Sequence, residues 1–492
     1  MAEQTTRDKI YNGLSSQTII TILLGALEII FFAIMSRLLS PEDFGYFAII
    51  IAVTSVFQCL TEAGLGSAVI QSNNAKRDYI STALGLSVVI GLFFTILLII
   101  LAKPLSIALG QGTTLITSLR WMSITLLLCS VNSIGRAMFM RTLNFLTYGW
   151  CQLASYLISS LIGVVMAVMG YGVSAIIVST ITNTVLMTLI LFVVDGTYPS
   201  IRIQRRYVRE IVSYGGWLTG SVILRRVTTE IDKIILTQWL PVSSIGAYNR
   251  PSNFITRIQE QVIGVFDTVL FPILSSIQKE IDRLGETLLR AVSLVSWFAT
   301  ILAACFFVGA ELLINIFFGE NWLWLTDIFK ILSISVIFLS QSRIGDCYFR
   351  SLGWMKPYFV IRLIVCIFTI MCVYIGCHYD ILGVAIGVLV SRIFDTLAKF
   401  TYLSLKMSVS PMRLITTAIK STWITIFITS FYYISTEHLE YNIYIGVILF
   451  AVVGMSLLIF TPKLFGQEYY DDVYLVIKSK LCKGRAKSVT IN

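Results

Sequence analysis

The chain has 492 residues, of which 56% are hydrophobic and only 13% are charged. No soluble protein of that length could bury so much apolar side chain, so the many apolar runs of about twenty residues mark an all-α polytopic membrane protein. A transmembrane barrel would show short alternating segments, which are not seen, and the net charge of +10 sits between apolar runs, where it orients a membrane protein rather than binding nucleic acid.

In chain order, runs of spanning length fall at 15–37, 44–67, 79–102, 115–137, 149–169, 172–194, 213–237, 246–275, 288–317, 326–349, 358–377, 382–405, 414–435 and 441–461. That predicts about 14 transmembrane helices. The first run lacks a small-residue cleavage site behind it and reads as a retained helix rather than a signal peptide. With Arg7 and Lys9 in the cytoplasm, the inside loops collect Lys76 and Arg77, Arg136 and Arg141, and Arg202, Arg205, Arg206 and Arg209. Further along they collect Lys279 and Arg283, Arg350 and Lys356, and Lys406 and Arg413. The outside connections hold little beyond Arg37 and Lys103. This alternation predicts an even number of spans with both termini cytoplasmic.

The chain also repeats itself. Leu39-Ser-Pro-Glu-Asp-Phe-Gly45-Tyr-Phe47 parallels Leu240-Pro-Val-Ser-Ser-Ile-Gly246-Ala-Tyr248, Arg141-Thr-Leu143 parallels Arg350-Ser-Leu352, and Tyr171-Gly172-Val173 parallels Leu382-Gly383-Val384. The offset stays at roughly 200–211 residues, or six spans. An even number makes both halves enter the membrane in the same sense, which predicts two six-helix lobes related by a pseudo-two-fold axis along the membrane normal, with a cavity between them. The expected divisions are an N-terminal lobe at 1–200, a C-terminal lobe at 201–410, two extra spans within 411–465 and a cytoplasmic tail at 466–492.

The seventh and eighth spans carry charges that a lipid-facing helix should not. In the seventh, Gly216, Thr219, Arg226, Glu230, Lys233 and Thr237 share one face; in the eighth, Arg250, Asn253, Arg257, Glu260, Gly264 and Asp267 follow a three-four rhythm. A charge at the bilayer centre costs at least about 2.5–3.5 kcal/mol, so these groups should face a bundle interior or a wet cavity. Cations outnumber acids: Arg225, Arg226, Lys233, Arg250 and Arg257 stand against Glu230, Asp232, Glu260 and Asp267. Planar guanidinium forks bind phosphate oxygens in a bidentate way, and the acids would hold the arginines when the cavity is empty. Arg225, Arg226, Lys233, Arg250, Asn253 and Arg257 are therefore the candidate substrate-binding residues. Glu28, Glu62, Glu230, Asp232, Glu260 and Asp267 are the candidate proton or sodium carriers. The competing reading is a set of buried ion pairs that lock two helices, with Lys233 and Arg250 snorkelling to the interface. Arg343 with Asp346, and Arg392 with Asp395 and Lys399, read as orientation charges with local pairing.

No pattern for covalent catalysis is apparent, and no glycine-rich phosphate loop ends in Gly-Lys-Ser/Thr. The two histidines, His378 and His438, sit in separate outside connections, and the nine cysteines have no paired or metal-ligand spacing. The chain thus reads as a non-enzyme with no cofactor and no metal. Its short outside connections leave no room for the acidic catalytic loop of a membrane glycosyltransferase or polysaccharide polymerase.

Several segments carry a family resemblance. Ser36-Arg-Leu-Leu-Ser-Pro-Glu-Asp-Phe-Gly-Tyr46, Thr61-Glu-Ala-Gly-Leu-Gly-Ser-Ala-Val-Ile-Gln71, Asp232-Lys-Ile-Ile-Leu236, Ile245-Gly-Ala-Tyr-Asn249, Phe271-Pro272 and Phe318-Gly-Glu-Asn-Trp322 resemble the polysaccharide-transport (Wzx-type flippase) family. That family belongs to the multidrug/oligosaccharidyl-lipid/polysaccharide exporter superfamily, and the pattern is most similar to its colanic-acid-type exopolysaccharide exporters. The resemblance implies twelve core helices plus two, with helices one, two, seven and eight lining a central cavity. It also implies that undecaprenyl-diphosphate-linked oligosaccharide is flipped across the bacterial inner membrane for exopolysaccharide, capsule or O-antigen synthesis. Polysaccharide polymerase and chain-length or export proteins are the candidate protein partners. The alternative is an ion-coupled small-molecule (drug) antiporter of the same superfamily, which would want an acidic, aromatic-lined cavity.

Overall fold

The computed structural model describes residues 2–62, 65–66, 69, 77–142, 144–195, 203–208, 216–407, 409–420 and 422–423. Side chains at 2–19, 145, 195, 216–219, 265, 267–269 and 272 lie outside that description. Among the described residues there is no strand, and twelve helices have 21 residues or more. They are α1 (Ala2–Leu38), α2 (Pro41–Glu62), α3 (Arg77–Ala108), α4 (Thr113–Arg141), α5 (Phe145–Val168) and α6 (Val173–Asp195). After them come α7 (Gly216–Leu236), α8 (Val242–Ser276), α9 (Ile281–Val308), α10 (Thr326–Ser351), α11 (Met355–Gly376) and α12 (Asp380–Lys406).

Each of the first twelve expected spans corresponds to one of these helices, and the expected run at 288–317 is divided. Its helix α9 ends at Val308, Gly309 takes the C-cap, and a separate short helix covers Ala310–Phe317. The last two expected spans, 414–435 and 441–461, and the tail lie largely or wholly outside the described residues. Nine stretches of the described helices are long and apolar enough to cross a membrane, one of which, Met355–Lys406, holds both α11 and α12. Among the described residues, α7 and α8 are the two long helices that fail that test. They carry the charged stripes.

The chain divides into two compact units. One comprises Met1–Val262, Leu313–Leu332 and Gly353–Asp395; the other comprises Ile263–Leu312, Ser333–Leu352 and the chain from Thr396. In the first unit α1 packs on α5, α2 on α4 and α7, α3 on α4, α5 on α6, and α7 on α11. Lipid removes the hydrophobic drive between helices, so close backbone approach and small polar residues must hold them. The residues fit that requirement. Ser130 Oγ of α4 donates to the Ser87 carbonyl of α3 at 2.8 Å, and Thr95 Oγ1 to the Ser123 carbonyl at 3.1 Å. Ser179 Oγ of α6 donates to the Ser159 carbonyl of α5 at 2.9 Å.

The repeated motif marks two helix starts. Ser40 and Asp43 cap α2 reciprocally: the Asp43 amide donates to Ser40 Oγ at 3.2 Å, and the Ser40 amide to Asp43 Oδ2 at 3.1 Å. Pro41 takes the first helical position, where its missing N–H costs nothing. Asp43 Oδ1 also accepts the Val173 amide at 2.8 Å, tying the start of α2 to the start of α6. The two glycines of the repeat meet each other. A Cβ on Gly45 would strike the Val242 backbone, and one on Gly246 would strike the Pro41 carbonyl and the Gly45 amide. The starts of α2 and α8 therefore cross backbone to backbone, which only glycine allows.

Candidate transport site

The candidate residues lie on α1, α2, α7 and the part of α8 up to Val262, all in the first unit. On α7, three-four spacing creates a charge ladder. Glu230 is buried and takes Lys233 Nζ at 2.5 Å on one oxygen, with Arg226 Nη1 at 3.6 Å from the other. Lys233 is buried too, so it closes the ladder internally instead of reaching the interface. Arg226 is 40% exposed at its side chain, and Arg225 beside it is exposed. Glu62 of α2 accepts from Gln58 Nε2 at 3.0 Å. Arg225, Arg226, Glu230 and Glu62 all act electrostatically on one thiol, Cys59 of α2. These charges lie around Cys59, where α2 packs on α7.

Asp232 points elsewhere. It is buried and accepts the Tyr248 hydroxyl at 2.8 Å and the Lys233 backbone amide at 2.8 Å. Tyr248 is itself fully buried. This bond fastens α7 to the first turns of α8 and leaves the Asp232 carboxylate with a structural task.

Along α8 the stripe passes through two environments. Arg250 is 3% exposed, with its guanidinium carbon 3.0 Å from the Phe44 ring centre and 4.1 Å from that of Phe32. Its Nε and Nη2 have no hydrogen-bond partner. The aromatic faces stabilise the cation, and Phe32, Phe254, Phe318 and Trp322 continue the ring cluster behind them. Farther along, Asn253, Arg257 and Glu260 are exposed. Arg257 Nη1 reaches Glu28 Oε2 of α1 at 2.5 Å. The Asp267 side chain lies outside the described residues.

The structure thus brings Arg225, Arg226, Glu230 and Glu62 together and pairs Arg257 with Glu28. It buries Lys233, Asp232 and Arg250. Sequence reasoning missed the Phe32–Phe44 seat of Arg250 and the Tyr248 hydroxyl on Asp232. Tyr248 closes the second copy of the repeated motif, and that position was the available signal. The charges near the ends of α10 and α12, read from sequence as local pairs, also bridge helices. Lys399 Nζ lies 2.7 Å from Asp346 Oδ1, and Arg362 Nη1 of α11 lies 3.6 Å from Asp395 Oδ2. Spacing along one helix cannot reveal a partner on another. No group of three or more metal-ligating side chains occurs among the described residues.

Comparison with known proteins agrees with this architecture. A membrane protein encoded in the cps region of Klebsiella pneumoniae is 25% identical over 81% of this chain and 82% of its own length. The succinoglycan biosynthesis transport protein ExoT of Rhizobium meliloti is 22% identical over 65% of each chain. Among solved structures, the lipid II flippase MurJ in an inward closed conformation superposes with a TM-score of 0.71 at 15% identity, covering 94% of this chain and 99% of that one. An inward-facing multidrug resistance MATE transporter superposes with a TM-score of 0.65 at 14% identity, covering 80% and 98%. At such identities the likeness establishes the fold alone, a multi-pass helical transporter fold shared by a lipid flippase and a drug exporter. The family profile described as "Polysaccharide biosynthesis protein" matches residues 34–327, and the chain belongs to that family.

Proposed function

We propose that this protein flips undecaprenyl-diphosphate-linked oligosaccharide from the inner to the outer leaflet of the bacterial cytoplasmic membrane. The observation that carries the reading is the pair of accessible arginines, Arg226 and Arg257. They sit on the two long helices too polar for lipid, and each is held by one carboxylate, Glu230 and Glu28 respectively. Moving an isolated charged headgroup through hydrocarbon costs tens of kcal/mol by Born estimates, so a wet cationic passage is the physical requirement. Arg225, Arg226 and Arg257 would meet the diphosphate while the polyprenyl chain stays in lipid. Lobes at 1–200 and 201–410, rocking about the crossing of α2 and α8, would expose the passage to each side in turn. Both termini would lie in the cytoplasm, and Glu28, Glu62, Glu230, Glu260 and Asp267 are the candidate carriers of a coupling ion, Asp232 being held by Tyr248. Polysaccharide polymerase and chain-length or export proteins are the candidate partners.

The drug-antiporter reading draws on the shared fold, but a cavity biased toward arginine suits an anion better than a cationic drug. The test is reconstitution in liposomes with a headgroup-labelled isoprenyl-diphosphate oligosaccharide. Arg226→Ala with Arg257→Ala should lower flipping at least about tenfold, because bonds to charged groups contribute about 1.5–3 kcal/mol each. Unchanged flipping by a folded double variant, or faster export of cationic drugs than of labelled lipid by the wild type, would overturn the proposal.

A further inference from the structure

Two acids hold the accessible arginines, and they differ in kind. Glu230 is buried, pairs with both Arg226 and Lys233, and belongs to the same helix as its partners. Glu28 comes from another helix and pairs with Arg257 alone in the pairs seen here, at 2.5 Å, with its side chain 32% exposed and that of Arg257 64% exposed. Around this pair α1 and α8 touch closely: a Cβ on Gly25 would lie 3.3 Å from Gln261 Nε2, so the glycine makes room for that amide. Tyr156 of α5 lies within electrostatic reach of both partners. The bond is short, yet both side chains stay exposed. An exposed pair contributes only about 0–1 kcal/mol, because water competes for both ions. A phosphate group meeting the same guanidinium in a bidentate way binds more strongly than one carboxylate oxygen does.

We propose that Glu28 is a stand-in anion. Its carboxylate occupies Arg257 while the passage is empty, an incoming diphosphate takes its place, and the exchange releases α1 from α8 at this level. The proposal rests on the lipid-diphosphate reading above, and it moves Glu28 from the ion carriers to a competitor of the substrate. Glu28 is here a positioning residue, since it acts through Arg257.

The test measures binding of farnesyl diphosphate, and separately of inorganic pyrophosphate, to the full chain in nanodiscs. Glu28→Gln keeps the shape and removes the charge, and should bind farnesyl diphosphate about three- to tenfold more tightly than wild type. Glu28→Ala should shift in the same direction, which guards against a packing effect peculiar to one variant. Arg257→Ala should bind at least tenfold more weakly, and adding Glu28→Gln to it should restore nothing. A purely structural pair would give weaker or unchanged binding in Glu28→Gln, and that result overturns the exchange while leaving the flippase reading intact. Failure of wild type and every variant to bind either probe would defeat both. Tightening with farnesyl diphosphate alone supports a lipid headgroup as the displacing anion; tightening with both probes supports the diphosphate group by itself. In a background with the native cysteines replaced, disulfide formation between Gly25→Cys and Gln261→Cys should slow at least threefold when farnesyl diphosphate is present. An unchanged rate overturns the release of α1.

Discussion

The Glu28–Arg257 pair and the Asp346–Lys399 pair have nearly the same length, 2.5 Å and 2.7 Å, and opposite surroundings. Lys399 is 0% exposed, and its ammonium also donates to Ser342 Oγ at 2.5 Å. Gly345 gives its stem room, since a Cβ there would lie 3.0 Å from Lys399 Cδ. A buried ion that has collected several partners stays where it is, because no competitor reaches it and breaking the set leaves a bare charge behind. Arg257 keeps one carboxylate and stays 64% exposed at its side chain. The contrast teaches that in this chain bond length does not separate structural charges from working ones. Access does.

The strongest way to break that contrast is to remove the dry cation. Lys399→Met removes the buried cation 2.7 Å from the Asp346 carboxylate, and should destabilise the protein by about 3–5 kcal/mol, read as a loss of folded protein in detergent denaturation. Adding Asp346→Leu should recover most of the loss, since a well-packed apolar pair often replaces a buried ion pair without cost. A stable Lys399→Met variant would show the site to be wetter than its geometry says. Next in size is Gly246→Ala. Its new methyl would meet the Pro41 carbonyl, and because backbone cannot rotate away as a side chain can, about 1–3 kcal/mol of overpacking follows. By contrast, Arg257→Ala should change stability by less than about 1 kcal/mol while lowering flipping of labelled lipid. A stability loss as large as that of Lys399→Met would place Arg257 with the structural charges.

Much of this was legible in the sequence, and the limits have a physical cause. Arg226, Glu230 and Lys233 lie three and four residues apart on one helix, so their ladder could be read directly. The repeat around Gly45 and Gly246 was visible, but not that the two glycines touch, because a repeat gives equivalence and no distance. The three-four rhythm grouped Arg250 with Arg257, yet a helix of 35 residues passes more than one neighbour. Near its start α8 is covered by Phe32 and Phe44, whereas about two turns later it is open. Periodicity gives a face; only packing says what lies against it at each height. Asp346 with Lys399 needed the fold for the same reason.

The smallest effect expected is also the control on the largest. Ser130 Oγ crosses from α4 to the Ser87 carbonyl of α3 at 2.8 Å and also reaches its own Leu127 carbonyl at 2.8 Å. Both acceptors belong to helical backbone that keeps its own ladder bonds, so Ser130→Ala strands no buried charge and removes only a hydroxyl. Interhelical bonds of this kind contribute about 0.6 kcal/mol on average within membranes. Ser130→Ala should therefore unfold almost as wild type does and flip labelled lipid at the wild-type rate. A loss comparable to that of Lys399→Met would mean that helix contact in general, and not the removal of a buried ion's partner, sets the cost. Distinguishing dry ions from wet ones would then lose its basis.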